Sequence, residues 1–362
     1  MSSIKILQGN CLNRLRDLPE KSVNTCVTSP PYWGLRDYGT GEWVGGDPDC
    51  PHMRTTKISK DTSTGHKAMF EQGNVVGDAI YKTECPKCGA TRKDEQLGLE
   101  ETPEQFTENL VKLFREVRRV LRDDGTVWLN LGDSYSSGGR KTTTNQSLRG
   151  DNEYGVTRPK PSKGIKEKDL VGIPWRVAFA LQADGWYLRQ DIIWHKPSPM
   201  PESVKDRCTK AHEYIFLLSK SPNYYFDNEA IKELTTDSYE GKRGTLKKRN
   251  KTQSAMQDRV FNTPYDPANK RNKRSVWTVT TRSYSEAHFA TYPPELIKPC
   301  ILAGCPEGGT VLDPFGGSGT TAQVSNNLNR NAILCELNPE YVEIAKGRLQ
   351  ESLGMFLDME IL

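Results

Sequence analysis

Residues 311–321, VLDPFGGSGTT, constrain this chain more than any other stretch. They read as an apolar strand, an acid, a glycine cluster and the start of a helix. Glycines let the backbone approach a ligand closely and take positive φ angles. The helix start beyond them offers unpaired N–H groups and a positive dipole end. A strand, a tight turn and a helix in that order belong to an α/β fold with a mainly parallel sheet.

The next strand, NAILCEL, ends in Glu336, seventeen residues past Gly319. A carboxylate there is placed to accept hydrogen bonds from ribose hydroxyls. The pattern is not G-x-G-x-x-G, and no Gly-Lys-Ser/Thr is present to cradle a triphosphate. A phosphate-free, nucleoside-bearing cofactor therefore fits best. Asp313 ahead of the glycines suits a cationic one, S-adenosylmethionine. Asp313, Phe315, Gly316, Gly317, Gly319, Thr320 and Glu336 are its candidate contacts.

The rest of the chain repeats the alternation. IKILQGN and SVNTCVT read as strands around the short helix CLNRLRDLP. Thr102 predicts an N-cap with Pro103 at the first helical position and Gln105 completing a capping box. Phe106, Leu110, Leu113, Phe114, Val117 and Leu121 recur at helical spacing until Gly125, and TVWLNLGD follows as a strand. IPWRVAFALQADG, PPELIKPCILAGC and PEYVEIAKGRLQESL predict helices, while WYLRQDIIWHKP, HEYIFLLSKS and YYFD predict more sheet. Residues 136–168 are rich in Gly, Ser, Thr, Lys and Pro and read as a mobile loop.

Charge is uneven. Between Lys232 and Arg274 twelve Lys or Arg face five Asp or Glu, an excess larger than the whole chain's net of +4. Such a cluster favours a polyanion, nucleic acid above all. No apolar run approaches the length of a membrane span, and the N-terminus lacks a signal-peptide layout, so a cytoplasmic protein with no membrane partner is expected.

A second motif interrupts the N-terminal half: CVTSPPYWG, with Ser29, Pro30, Pro31 and Tyr32 just after an apolar run. TSPPYW and DPFGGSGTT together resemble the catalytic and cofactor motifs of the amino-group DNA methyltransferases. Their order, catalytic motif first, is that of the circularly permuted class. The resemblance covers nearly the whole chain outside residues 45–97 and the basic stretch. It implies a Rossmann-like S-adenosylmethionine-dependent methyltransferase fold acting on double-stranded DNA. Residues 1–44 and 99–231 would carry the catalytic half, 232–275 target recognition and 276–362 the cofactor half.

The chemistry gives the motif its sense. An exocyclic amine delocalises its lone pair into the base ring and is a poor nucleophile. The Ser29 oxygen and the Pro30 carbonyl can accept its two N–H hydrogens and turn the lone pair toward a methyl donor. Pro31 keeps that carbonyl rigid, and Tyr32 offers an aromatic face to a base rotated out of the duplex. Trp33 and Trp194 are further candidates for the same pocket. Asn10 stands where the family commonly has a carboxylate. Phe289 and Tyr292 resemble residues beside the adenine. Serine before Pro-Pro-Tyr is typical of cytosine N4 methylation and aspartate of adenine N6, so N4 is favoured and N6 is the alternative.

Nine cysteines are an odd number and mostly scattered, which argues against a disulfide framework. Cys50 and His52, then Cys85 and Cys88 in CPKCG, differ: four soft or borderline ligands in a segment without its own core predict a structural zinc over 45–98. His66 rivals His52. Other readings stay open: an RNA or protein-amide methyltransferase, or a catalytically silent zinc-containing DNA-binding protein. Also open are a cognate restriction endonuclease and a homodimer.

Overall fold

The computed structural model describes residues 2–34, 38, 40–52, 84–136, 164–234, 270–281, 292–353 and 358–362. The first half runs β1 (Ser3–Gln8), α1 (Cys11–Arg16), β2 (Val23–Thr28), β3 (Glu42–Val44), β4 (Thr91–Lys93), α2 (Pro103–Val120) and β5 (Leu121–Leu131). Then come α3 (Ile173–Ala183), β6 (Tyr187–His195), β7 (His212–Ser219), β8 (Glu233–Leu234), β9 (Lys270–Arg271) and β10 (Val276–Thr278). The last part holds α4 (Pro294–Gly304), β11 (Thr310–Asp313), α5 (Thr320–Asn327), β12 (Asn331–Glu336), α6 (Pro339–Leu353) and β13 (Asp358–Ile361).

Nine of these strands form one sheet in the order β10-β6-β7-β5-β2-β11-β12-β1-β13. β7 runs antiparallel to both neighbours, and the other pairings are parallel. Side chains alternate across it, as strand geometry requires. Val127, Leu129, Phe216 and Leu218 pack with α2 and α3 on one face, while Trp128, Ile215 and Leu217 pack with α4 on the other. Ile4, Ile6 and Leu334 meet α6 in a third apolar cluster. The fold is the three-layer α/β arrangement expected.

Helix α2 begins as expected, with the Thr102 hydroxyl accepting from the Gln105 N–H at 3.2 Å. It ends earlier than expected. Leu121 is already extended and pairs with Val23 in β2, so Gly125 lies inside β5 rather than at a helix end. A side chain at Gly125 would meet the Asn24 carbonyl at 3.0 Å, so this strand needs glycine there. YYFD forms no strand. Its backbone bonds to the ends of other elements, Tyr225 N–H to the Asp124 carbonyl and Asp227 N–H to the Ala303 carbonyl, and Phe226 stacks over Trp128.

Sequence order groups β1 with the catalytic half, yet in the sheet it lies between β12 and β13. The basic stretch is framed by β8 and β9, which pair antiparallel, with Glu233 bound to Arg271 and Arg274. Residues 235–269 between them, most of the loop 136–168, His66 and Phe289 lie outside the described residues. No helix among the described residues is long and apolar enough to cross a membrane.

Candidate active site

Parallel pairing of β2 with β11 sets Thr25 beside Val311 and Cys26 beside Leu312, so the turns that leave these strands emerge side by side. One carries Ser29-Pro30-Pro31-Tyr32, the other Pro314-Phe315-Gly316-Gly317. Both turns open onto one cavity of about 510 Å³ at the carboxyl ends of the central strands. That is a usual volume for a small-molecule site, at the usual place in an open α/β sheet.

Asp313 joins the two turns. Its carboxylate is 1% exposed and accepts from the Thr28 hydroxyl at 2.6 Å, Thr321 at 2.5 Å, Tyr292 at 2.8 Å and the Phe315 N–H at 3.1 Å. Burial pushes this carboxyl above its ordinary range, and the four hydrogen bonds oppose the rise. Every bond is internal and Asp313 is not part of the cavity wall, so the acid holds the turn from beneath rather than facing a ligand. Tyr292 does reach the cavity.

The glycines divide their work. Gly317, at φ +50°, donates its N–H to Glu336 Oε2 at 2.8 Å, while Glu336 Oε1 accepts from Asn338 N–H at 2.8 Å. Each carboxylate oxygen keeps a second lone pair toward the cavity, which Glu336 lines. Burial pushes the Glu336 carboxyl upward against those bonds. Gly319, at φ +79°, caps α5, and a Cβ there would come 3.2 Å from Ala345 of α6. It serves helix packing and lies off the cavity wall, whereas Phe315, Gly316 and Thr320 line it. Asn10 also lines the cavity, but its side-chain oxygen caps α1 through Leu12 N–H at 3.0 Å and Asn13 N–H at 3.4 Å.

Opposite the glycine turn, Tyr32 stands in a slot at the end of β5. Its ring lies so close to Gly132 that a Cβ there would meet Tyr32 Cε2 at 2.4 Å. Its hydroxyl donates to Glu213 Oε2 at 2.7 Å, with Asn130 Oδ1 3.2 Å away. Lys196 pairs with Glu213 on the other side, and its ammonium lies 4.2 Å from the centre of the Trp194 ring. Trp194 lines the cavity as expected. Trp33 does not: it packs into the core beside α2 and donates its indole N–H to the Glu100 carbonyl at 2.9 Å.

Asn130, Lys196 and Glu213 escaped the sequence reading because they sit in three separate strands or strand ends. One signal was present: HEYIFLLS places a charged residue next to an apolar run that has no use for it.

Cys50, His52, Cys85 and Cys88 offer ligand atoms within 4.8 Å of one another. The Cys50 and Cys85 sulfurs are 3.8 Å apart, and Cys88 Sγ lies 3.5 Å from His52 Nδ1. Two thiolates on one tetrahedral zinc, with Zn–S near ~2.3 Å, sit about 3.8 Å apart, so the donor set and spacing fit that ion. Gly89 N–H to the Cys85 carbonyl and Cys85 N–H to the Ala90 carbonyl close the knuckle turn. The β3–β4 hairpin runs from this cluster to Thr40, Glu95, Gln96 and Leu97, which form one wall of the cavity.

Comparison with known proteins agrees with this geometry. The DNA methylase family (N6_N4_Mtase) matches residues 23–347. Type II methyltransferase M.Cfr9I of Citrobacter freundii is 41% identical over 97% of this chain and 89% of its own length. M.SmaI of Serratia marcescens is 39% identical over 96% of this chain and 91% of its own length. Among solved structures, PvuII DNA methyltransferase (cytosine-N4-specific) is similar at a TM-score of 0.55, with 17% identity over 96% of this chain and 86% of that one. The TTHA0409 DNA modification methylase of Thermus thermophilus, complexed with S-adenosyl-L-methionine, gives 0.52, with 21% identity over 99% of both chains. The two structural likenesses speak for the fold. The family match and the two relatives speak for descent, and this chain belongs to the amino-group DNA methylase family.

Proposed function

We propose that the protein transfers a methyl group from S-adenosylmethionine to the N4 amine of a cytosine rotated out of double-stranded DNA. The observation that carries this reading is the meeting of the Ser29–Tyr32 turn and the glycine turn in one cavity.

The cofactor's sulfonium supplies an activated methyl group. Glu336 would take the ribose hydroxyls, with the Gly316 and Gly317 backbone leaving room beside it. A Cβ on Gly317 would meet nothing closer than 4.0 Å, so no side chain already fills that space. Ser29 Oγ and the Pro30 carbonyl would hold the two amine hydrogens, which fixes the nitrogen lone pair toward the glycine side. The Tyr32 ring would stack on the base. Preorganised acceptors of this kind act without reorganising during the reaction.

Serine in the catalytic turn supports cytosine over adenine. After incubation with isotope-labelled S-adenosylmethionine and mixed-sequence duplex DNA, nucleoside mass spectrometry should find labelled N4-methylcytosine. Label on adenine N6 instead would keep the mechanism and overturn the choice of base. The basic residues around 232–275 would supply phosphate contacts, so binding to DNA should weaken steeply as salt rises. M.Cfr9I and M.SmaI are named Type II methyltransferases, which supports a role beside a cognate restriction endonuclease.

Cys50, His52, Cys85 and Cys88 would bind one structural zinc. Cys85→Ser with Cys88→Ser should reduce bound zinc from one per chain to near zero and lower Tm by roughly 5 °C. The β3–β4 hairpin also walls the cavity, so affinity for S-adenosylmethionine should fall in the same variant. Wild-type protein without zinc by metal analysis would refute the assignment.

A further inference from the structure

The hydroxyl of Tyr32 has more partners than a stacking ring needs. A base-stacking tyrosine uses its face, and its hydroxyl can point to solvent. Here the hydroxyl is turned inward onto Glu213 Oε2 at 2.7 Å, inside a network that the catalytic motif does not contain. Asn130 Nδ2 steadies the same Glu213 oxygen at 3.3 Å and the Tyr214 carbonyl at 3.0 Å. Lys196 balances the carboxylate's charge, and both partners of that ion pair are less than one-fifth exposed. On its other side the Tyr32 hydroxyl takes a hydrogen bond from Ser29. Ser29, Tyr32, Asn130, Lys196 and Glu213 all line the cavity.

Each hydroxyl in this chain donates to the next group, and the last acceptor is a carboxylate. We propose that Ser29, Tyr32 and Glu213 form an exit path for the proton that the target amine must lose, with Glu213 as its acceptor. The inference rests on the amino-methyltransferase reading above.

The step balances. The amine lone pair forms the N–C bond to the methyl carbon while the C–S bond breaks and its electrons return to sulfur. The methylated nitrogen carries the positive charge until one N–H proton passes to Ser29 Oγ. The Ser29 proton moves to Tyr32 Oη, and the Tyr32 proton to Glu213 Oε2. Tyr32 ends as it began, a neutral phenol. Burial and the neighbouring carboxylate push its own ionisation well above the ordinary range, so it passes a proton without storing charge. Neutral Glu213 then releases its proton to solvent and recovers its pairing with Lys196.

Single-turnover transfer to DNA tests this path with Tyr32→Phe, Glu213→Gln, Glu213→Asp and the Tyr32→Phe/Glu213→Gln double variant. Tyr32→Phe keeps the stacking ring and removes only the relay oxygen. Each of Tyr32→Phe and Glu213→Gln should slow transfer about 10²-fold, the scale of one acid–base step, with cofactor affinity and Tm unchanged. The double variant should be no slower than either single variant, because both break one chain. Glu213→Asp should recover part of the rate, and the solvent isotope effect of the wild type should vanish in both single variants. A loss below tenfold in either single variant, or losses that multiply in the double, would overturn the relay while leaving the methyltransferase reading intact. Wild-type protein that puts no label on DNA would instead overturn that reading, and the relay with it.

Discussion

Gly132→Ala should cost about 10²-fold in methyl transfer while leaving cofactor binding and global stability close to wild type. The added Cβ would lie 2.4 Å from Tyr32 Cε2, 2.9 Å from Cδ2 and 3.1 Å from Cζ. No real contact is that short, so the ring must leave its slot. Gly132 is outside the cavity wall and touches none of the glycine turn, so the cofactor side is undisturbed. Moving a reacting or orienting group by an ångström costs on this scale. Equilibrium binding of S-adenosylmethionine, measured beside the single-turnover rate, separates the two effects. A full transfer rate with alanine at 132 would show that the position of the Tyr32 ring is immaterial to the reaction.

Asp313→Ala should be the most damaging single change for stability. It strips the acceptor from three hydroxyls, Thr28, Thr321 and Tyr292, and from the Phe315 N–H. Leaving a buried donor unpaired costs about 1–3 kcal/mol each, and the penalties overlap as the cavity relaxes. A loss of about 4 kcal/mol or more is expected, which belongs to the rare large class. Thr28→Val removes one of the four donors and should cost only about 1 kcal/mol. Denaturant unfolding of the two variants gives the comparison directly. Equal effects would mean that Asp313 depends on Thr28 alone.

Asp313 also shows where reading residues in order falls short. Its place ahead of the glycines invited a direct role toward a cationic ligand, and its burial under four donors is visible only once β2 lies against β11. Glu336 was legible because a strand end after a glycine turn has one place to be in an α/β sheet. The helices at 103–120, 173–183 and 339–353 were legible from apolar spacing and, for the first, from its cap. The metal cluster was legible as a set of ligands because soft ligands in a coreless segment have few other uses. Lys196, Glu213 and Asn130 were not legible. Each looks like an ordinary polar residue in its own strand, and only the packing of β5, β6 and β7 makes them neighbours of Tyr32. β10 and β13 were missed for another reason: three or four residues carry too little periodicity to announce a strand.

The adjacency of β2 and β11 has a consequence for how the molecule comes into being. The central ladder of the sheet joins Thr25 to Val311, and the hydrogen bond beside it joins Thr28 to Asp313, partners 285 residues apart. Contacts that distant form slowly, since the intervening chain must close a large loop before they reward it. During synthesis the Ser29–Tyr32 turn emerges early and waits for β11, β12 and α6. Until they arrive, Val27 lacks Val311 and α4 as core neighbours, and the apolar edge of β2 stays uncovered. A nascent chain therefore carries half of a reaction centre that cannot turn over, and its exposed strand edge is the natural place for a chaperone to bind.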